Sequence, residues 1–175
     1  MVVSILLFSV FLYASKHIDL LKKGIAVFFE NPTKYKCEIT EIDQDVIFSL
    51  NLIDLSSNIG KTIYDDGECT IDIEYVQYDG NVYNITFRTH GQYNMRRGVL
   101  VTALPHIRNS NGTYTQDIHS KLYIRNREEW LPCRVTGIYG IVFKDGDKFV
   151  YTFQSTAESE VTLKISKLLK HEWYE

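Results

Sequence analysis

CTIDIEYVQYDGNVYNITFR, residues 69–88, is the stretch whose reading decides the fold. Ile71, Ile73 and Tyr75 alternate with Asp72 and Glu74, and Tyr83, Ile85 and Phe87 alternate with Asn84 and Thr86. Alternation with period two marks half-buried β-strands. Asp79 and Gly80 between the runs mark a hairpin turn. A two-residue Asp79-Gly80 turn would pair Tyr75 with Asn84 and set the two apolar rows on opposite faces. A three-residue loop, Tyr78-Asp79-Gly80, instead pairs Tyr75 with Tyr83, Ile73 with Ile85 and Ile71 with Phe87. Gly80 then takes the left-handed position at no Cβ cost. A one-residue slip inverts every side chain, so the matched register is the predicted one. It sets Asn84 beside Glu74 on the polar face.

Asn84-Ile85-Thr86 is an N-glycosylation sequon, and Asn111-Gly112-Thr113 is a second, inside the turn-forming run RNSNGTYT. Both acceptors are expected at the surface. They matter only if the chain enters the secretory pathway, and its start bears on that. MVVSILLFSVFLYASKH is apolar from Val2 to Ala14 apart from Ser4 and Ser9. That run is shorter than the roughly 20 residues of a transmembrane helix and matches the apolar region of a signal peptide. Small residues at Ala14-Ser15 offer a cut. The expected organisation is therefore a signal peptide over 1–15 and a single β-rich extracellular domain over 16–175, with no stable membrane span after cleavage.

The rest of the composition agrees with a globular β-protein. The chain has 175 residues, 45% hydrophobic and 23% charged, enough to bury a core and too apolar for a disordered chain. Twelve Tyr and only three Pro favour strands. A net charge of −3 excludes the basic field of a general nucleic-acid binder.

Residues 15–31 suggest a short helix ended by Asn31-Pro32. Strands are predicted at 35–40, 45–53, 98–104, 120–126 and 133–137. A second hairpin is predicted over 138–153 around Asp145-Gly146, pairing Phe149 with either Val142 or Phe143. The end, VTLKISKLLKHEWYE, starts with strand alternation and then changes to helical spacing through Leu168, Leu169 and Trp173. The expected fold class is mainly β: an antiparallel sandwich or barrel with short helices near the N- and C-termini.

Cys37, Cys69 and Cys133 are all in phase with apolar neighbours expected to face inward. One disulfide of undetermined pairing is allowed, with one thiol left over. No Cys-x-x-Cys, metal-spaced histidine pair, nucleophile elbow or phosphate-binding glycine loop is present, so no metal, cofactor or catalytic site is predicted. His90 and His106 flank loops and read as surface histidines. In RTHGQYNMRRGV, Arg88, Tyr93, Arg96 and Arg97 are residue types enriched at binding hot spots and make up the candidate contact loop. Trp130, in EEWLPC, reads as a further exposed aromatic.

These readings describe a secreted, glycosylated, non-enzymatic interaction protein that binds another extracellular protein through loops on a β scaffold. Length and strand count also allow a lipocalin-like barrel holding a small apolar ligand, although the Gly-x-Trp signature is absent. The Cys69–Cys133 separation suits an immunoglobulin-like sandwich. The Trp expected after its first cysteine is missing, and so is the Asp-x-Gly-x-Tyr-x-Cys pattern before the second.

Overall fold

The computed structural model describes residues 17–107, 109, 117–156 and 159–175. The signal-peptide expectation over 1–15 and the Asn111 sequon lie outside the described residues. The chain forms a helix at 17–23, α1, and a second at Ala26–Glu30, α2. Strands follow at Lys36–Glu41 (β1), Val46–Asn51 (β2), Thr62–Asp65 (β3), Thr70–Tyr78 (β4), Tyr83–His90 (β5), Gln92–Tyr93 (β6) and Arg97–Thr102 (β7). The remaining strands are Lys121–Asn126 (β8), Glu129–Pro132 (β9), Arg134–Phe143 (β10), Gly146–Phe153 (β11), Glu160–Ser166 (β12) and Leu169–Tyr174 (β13).

All pairings are antiparallel. One layer is the five-stranded sheet β10-β11-β5-β4-β3. The other is built from two four-stranded sheets, β1-β13-β7-β6 and β2-β12-β8-β9. Their orders correspond over three strands: β1 leads into β2 and β12 into β13 through short links, and β7 and β8 take the equivalent third places. The second layer is thus one set of strands broken at a common corner. Lys167, with φ of +60°, turns that corner, and Ile42 N–H donates to Leu168 O across it at 2.8 Å. The result is an open sandwich, which removes the closed-barrel half of the expectation.

Its core joins Ile71, Ile73, Ile85, Phe87, Phe149 and Tyr151 of the five-stranded layer to Leu50, Val99, Leu122, Leu163 and Ile165 of the other. Strand β7 is buried on both faces. Val99 and Val101 point to this core, whereas Leu100 and Trp173 pack with Leu20, Ile25, Phe28 and Tyr35 of the N-terminal segment. Double burial explains why GVLVTAL is apolar without alternation.

Three expectations are corrected. The C-terminal helix is absent, and 160–174 forms β12 and β13. Leu169, His171 and Trp173 are all buried and make a period-two row, hidden in the sequence because its middle member is polar. In the first hairpin the loop is 79–82, pairing Tyr78 with Tyr83, Val76 with Ile85 and Ile73 with Phe87. A bulge between Ile73 and Tyr75 restores the inward phase, so Asn84 does reach the outer face, opposite Gln77 rather than Glu74. In the second hairpin Phe143 pairs with Gly146 and Ile138 with Phe149, again through a bulge.

Gly146 is not the turn glycine that the sequence suggested. A Cβ there would lie 2.0 Å from Thr89 O and 2.6 Å from Thr89 Oγ1, so it is glycine because β5 passes too close for a side chain. Gly67, in contrast, has φ of +84° with open space around it. Gly146→Ala is expected to cost about 3 kcal/mol, by overpacking. Gly67→Ala is expected to cost about 1 kcal/mol, through left-handed backbone strain alone. Urea denaturation of the two variants measures both costs, and similar midpoints would contradict this distinction.

Candidate functional site

The residues singled out in the sequence do not gather into one loop. Arg88 lies on β5, on the outer face of the five-stranded layer, 3.4 Å from Asp145. His90 bridges the same carboxylate at 2.7 Å and Asp72 at 3.4 Å. Tyr93 is half-buried against the N-terminal apolar cluster. Arg97, on β7, is held between Glu68 and Glu172. Arg96 is exposed in the β6–β7 turn, where Asn94 Oδ1 accepts from its backbone N–H at 2.9 Å. Asn84 stands on the outer face of central strand β5, half-exposed, with its Oδ1 accepting from Thr152 Oγ1 at 2.7 Å.

All three cysteines are free thiols: Cys69 is buried just before β4, Cys133 half-buried between β9 and β10, and Cys37 exposed on edge strand β1. Cys37 keeps the phase of Tyr35 and Ile39, opposite the buried Trp173, but on an exposed edge. Its strand faces solvent along its whole length.

Two histidines read poorly from sequence turn out to be interior. Asp147, fully buried, accepts from Thr89 Oγ1 at 2.8 Å, Thr102 Oγ1 at 2.6 Å and His106 Nε2 at 2.7 Å. His106 packs edge-on against His171, with ring centroids 5.4 Å apart. His171, also fully buried, donates from Nε2 to Leu104 O at 2.9 Å and turns Nδ1 towards Cys37 Sγ at 3.9 Å. Sequence reasoning missed Asp147 because Asp-Gly-Asp reads as a turn, and missed His171 because it expected a helix there.

Aspartate, histidine and cysteine in one cluster invite comparison with a nucleophilic site, but the electrostatics run the other way. Burial, with His106 adding to it, pushes His171 down to about 4. Burial and the Glu38 carboxylate push the Cys37 thiol up to about 11. A thiolate nucleophile needs the reverse, a depressed thiol beside a ready base. The cluster holds a neutral thiol against a neutral imidazole and ties the two layers together. Among the described residues no three side chains gather as metal ligands, and no helix is long and apolar enough to cross a membrane.

A different surface gathers aromatic, aliphatic and charged side chains. On the outer face of β2-β12-β8-β9, Lys164 Nζ sits 4.9 Å from the Trp130 ring centre and 5.2 Å from that of Tyr123, and 3.1 Å from Asp45. Ile47, directly opposite Lys164 on β2, is 60% exposed, and Pro132 is opposite Tyr123. Cation–π contact fixes the lysine stem and leaves two aromatic edges and an isoleucine facing solvent. This face belongs to the layer opposite the one carrying Asn84. In comparisons with known proteins, no family model, curated protein or solved structure matches the chain.

The His171 shift predicts a pH dependence. The folded value lies below the unfolded one, near 6.5, so the unfolded chain takes up the proton first and stability falls as pH drops. This group's contribution is nil above pH 6.5, grows to about 3 kcal/mol of destabilisation by pH 4, and levels off below. Lowered carboxylates such as Asp66 and Asp145 act in the more acidic range. Chemical denaturation between pH 7 and 4 is expected to show this slope in the native chain and a much flatter one in His171→Phe. Equal slopes would contradict the assignment.

Proposed function

We propose that this chain is a secreted, glycosylated, non-enzymatic β-sandwich that works by binding another extracellular protein. The observation that carries the reading is the partly solvent-exposed group Ile47, Tyr123 and Trp130 around Lys164. Tryptophan and tyrosine dominate interface hot spots, and here they are held in place beforehand by the lysine between them. Arg125 lies opposite Trp130 and supplies a polar rim.

The two layers divide the surface. A glycan on Asn84 would cover the outer face of the five-stranded layer, where Gln77, Asn84 and Thr152 share a row. The Trp130 face would stay open. This arrangement supports moving the contact surface from the loop over 88–97 to the β2-β12-β8-β9 face, with Arg96 as a peripheral charge.

Expression in eukaryotic cells tests the compartment. The medium is expected to contain a chain that has lost about 15 N-terminal residues and carries glycan mass. Asn84→Gln is expected to lower that mass by one glycan. Retention of an uncut, unmodified chain inside the cell would contradict the reading. For the contact, a partner captured from the extracellular medium is to be purified and titrated against Trp130→Ala and Tyr123→Ala. Each is expected to weaken binding by about 2 kcal/mol or more with the fold retained. Unchanged affinity would move the contact elsewhere.

A further inference from the structure

Strand β11 starts beside the N-terminal segment, where Ile25 N–H donates to Lys144 O, and finishes at Phe153, at the other end of the sandwich. Three connections meet at that far end: the β4–β5 loop, the β8–β9 turn and the link from β11 to β12. Loops gathered at one end of a rigid sandwich are where binding residues concentrate. Between these three lies a cleft of about 630 Å³, within the usual size range of small-molecule sites. Leu131, 40% exposed, gives it an apolar wall beside the nearly buried Ile124 and Val161. Most of the remaining lining is exposed and polar, including the side-chain amides of Asn81, Asn126 and Gln154.

The β8–β9 turn carries the unusual residue. Asn126 pairs with Glu129, so the loop between them is Arg127-Glu128. Two-residue hairpin loops favour glycine or asparagine, because a central residue must take a positive φ. Arg127 takes that conformation, with φ of +56°, against the steric demand of its own Cβ. Glycine would make the same turn with less strain. Arg125 Nε donates to Arg127 O at 3.2 Å, so a second arginine braces the turn from its strand. Arg127 is exposed and lines the cleft, as Arg125 does. An arginine standing where the backbone favours glycine points to a use for its side chain.

The chemistry of the lining narrows the ligand. A guanidinium presents paired N–H donors in a planar fork that matches a carboxylate. A side-chain amide offers both donors and an acceptor, and a hydroxyl can use either, so the three amides suit a ligand rich in hydroxyls. Charge sets the limit. Glu160 lines the same cleft, and Glu128 and Glu129 line the adjoining recess, which shares Asn126 and Arg127 with it. Two arginines thus stand among three glutamates, which disfavours a polyanion or a doubly charged phosphate. We infer that this cleft binds a carboxylate-bearing sugar, its carboxylate on Arg127 and its hydroxyls among the amides of Asn81, Asn126 and Gln154. The inference does not rest on the protein-contact reading.

The test titrates the purified chain with methyl glucuronide, methyl glucoside, acetate and inorganic sulfate. Binding is read from the side-chain amides of Asn126 and Gln154 by ¹H–¹⁵N NMR. The two glycosides share a ring and differ in the carboxylate. The glucuronide is expected to saturate one site, and the glucoside to bind about tenfold or more weakly, the factor one charge-assisted hydrogen bond is worth. Acetate, which lacks the hydroxyls, and sulfate, which lacks them and carries a second charge, are expected to be weaker than the glucuronide. Arg127→Gly is expected to erase the preference for the glucuronide while leaving the urea midpoint unchanged or higher, because glycine relieves the turn. Arg127→Lys, which keeps the charge but not the fork, is expected to lose part of that preference. An arginine present only for structure would give the reverse, a lower midpoint in Arg127→Gly with binding intact. No saturable shift with the glucuronide, any other probe binding as tightly, an unchanged preference in Arg127→Gly, or a lowered midpoint in that variant would overturn the inference.

Discussion

The Asp147 carboxylate is the constraint on which one end of the sandwich depends. It is fully buried on β11 and draws donors from β5, β7 and the segment after β7. A buried carboxylate is tolerable only when its lone pairs are occupied, and removing one partner of such a group typically costs several kcal/mol. Its donors therefore have to be where they are. That requirement locks both layers together and brings the His106 ring under Phe29 of α2. It also explains Gly146, one residue earlier, whose missing Cβ lets β11 approach Thr89.

The same end is closed by the N-terminal segment. Gly24 adopts φ of +60° against Lys144, and Ile25 N–H donates to Lys144 O at 2.7 Å. Phe28 then packs on Trp173 of β13 and over Gly98 of β7, so this quarter of the sandwich is three layers deep. The opposite quarter, β2-β12-β8-β9, has no helix over it among the described residues, and there Trp130 and Tyr123 are engaged by Lys164 instead. The asymmetry gives the molecule two surfaces of different character: a side covered by the N-terminal segment, and an open face where Ile47, Tyr123 and Trp130 surround Lys164.

Much of this was readable in the sequence, and the failures have physical causes. Alternation located β1, β2, β4, β5 and β8 to within a residue or two, because a half-buried strand must alternate, and the unbroken apolar run GVLVTAL located β7. Register failed at both hairpins, since each contains a bulge, and nothing in EYV or YGIVF announces an extra residue. The C-terminus failed because Leu168, Leu169 and Trp173 satisfy a helical stripe as well as a strand row. Only knowing that His171 is buried and neutral tells the two apart. The site residues were the hardest. Asp147 and His106 are 41 residues apart, and a polar residue destined for the interior looks like any surface residue until its partners are in place. Trp130 was noticed, but Lys164 and Tyr123, which hold it, are brought beside it only by the pairing of β12, β8 and β9.

The central claim is that a buried, hydrogen-bonded Asp147–His106 pair with a neutral His171 beside it organises this end of the fold. Long-range ¹H–¹⁵N NMR of the histidine rings between pH 7 and 4 tests it most directly. The account predicts an Nε2-bound proton on His171, with that ring uncharged until close to pH 4, and a slowly exchanging Nε2 proton on His106 bonded to a carboxylate. A His171 ring that titrates near 6.5, or a His106 Nε2 proton exchanging at the rate of free imidazole, would contradict it.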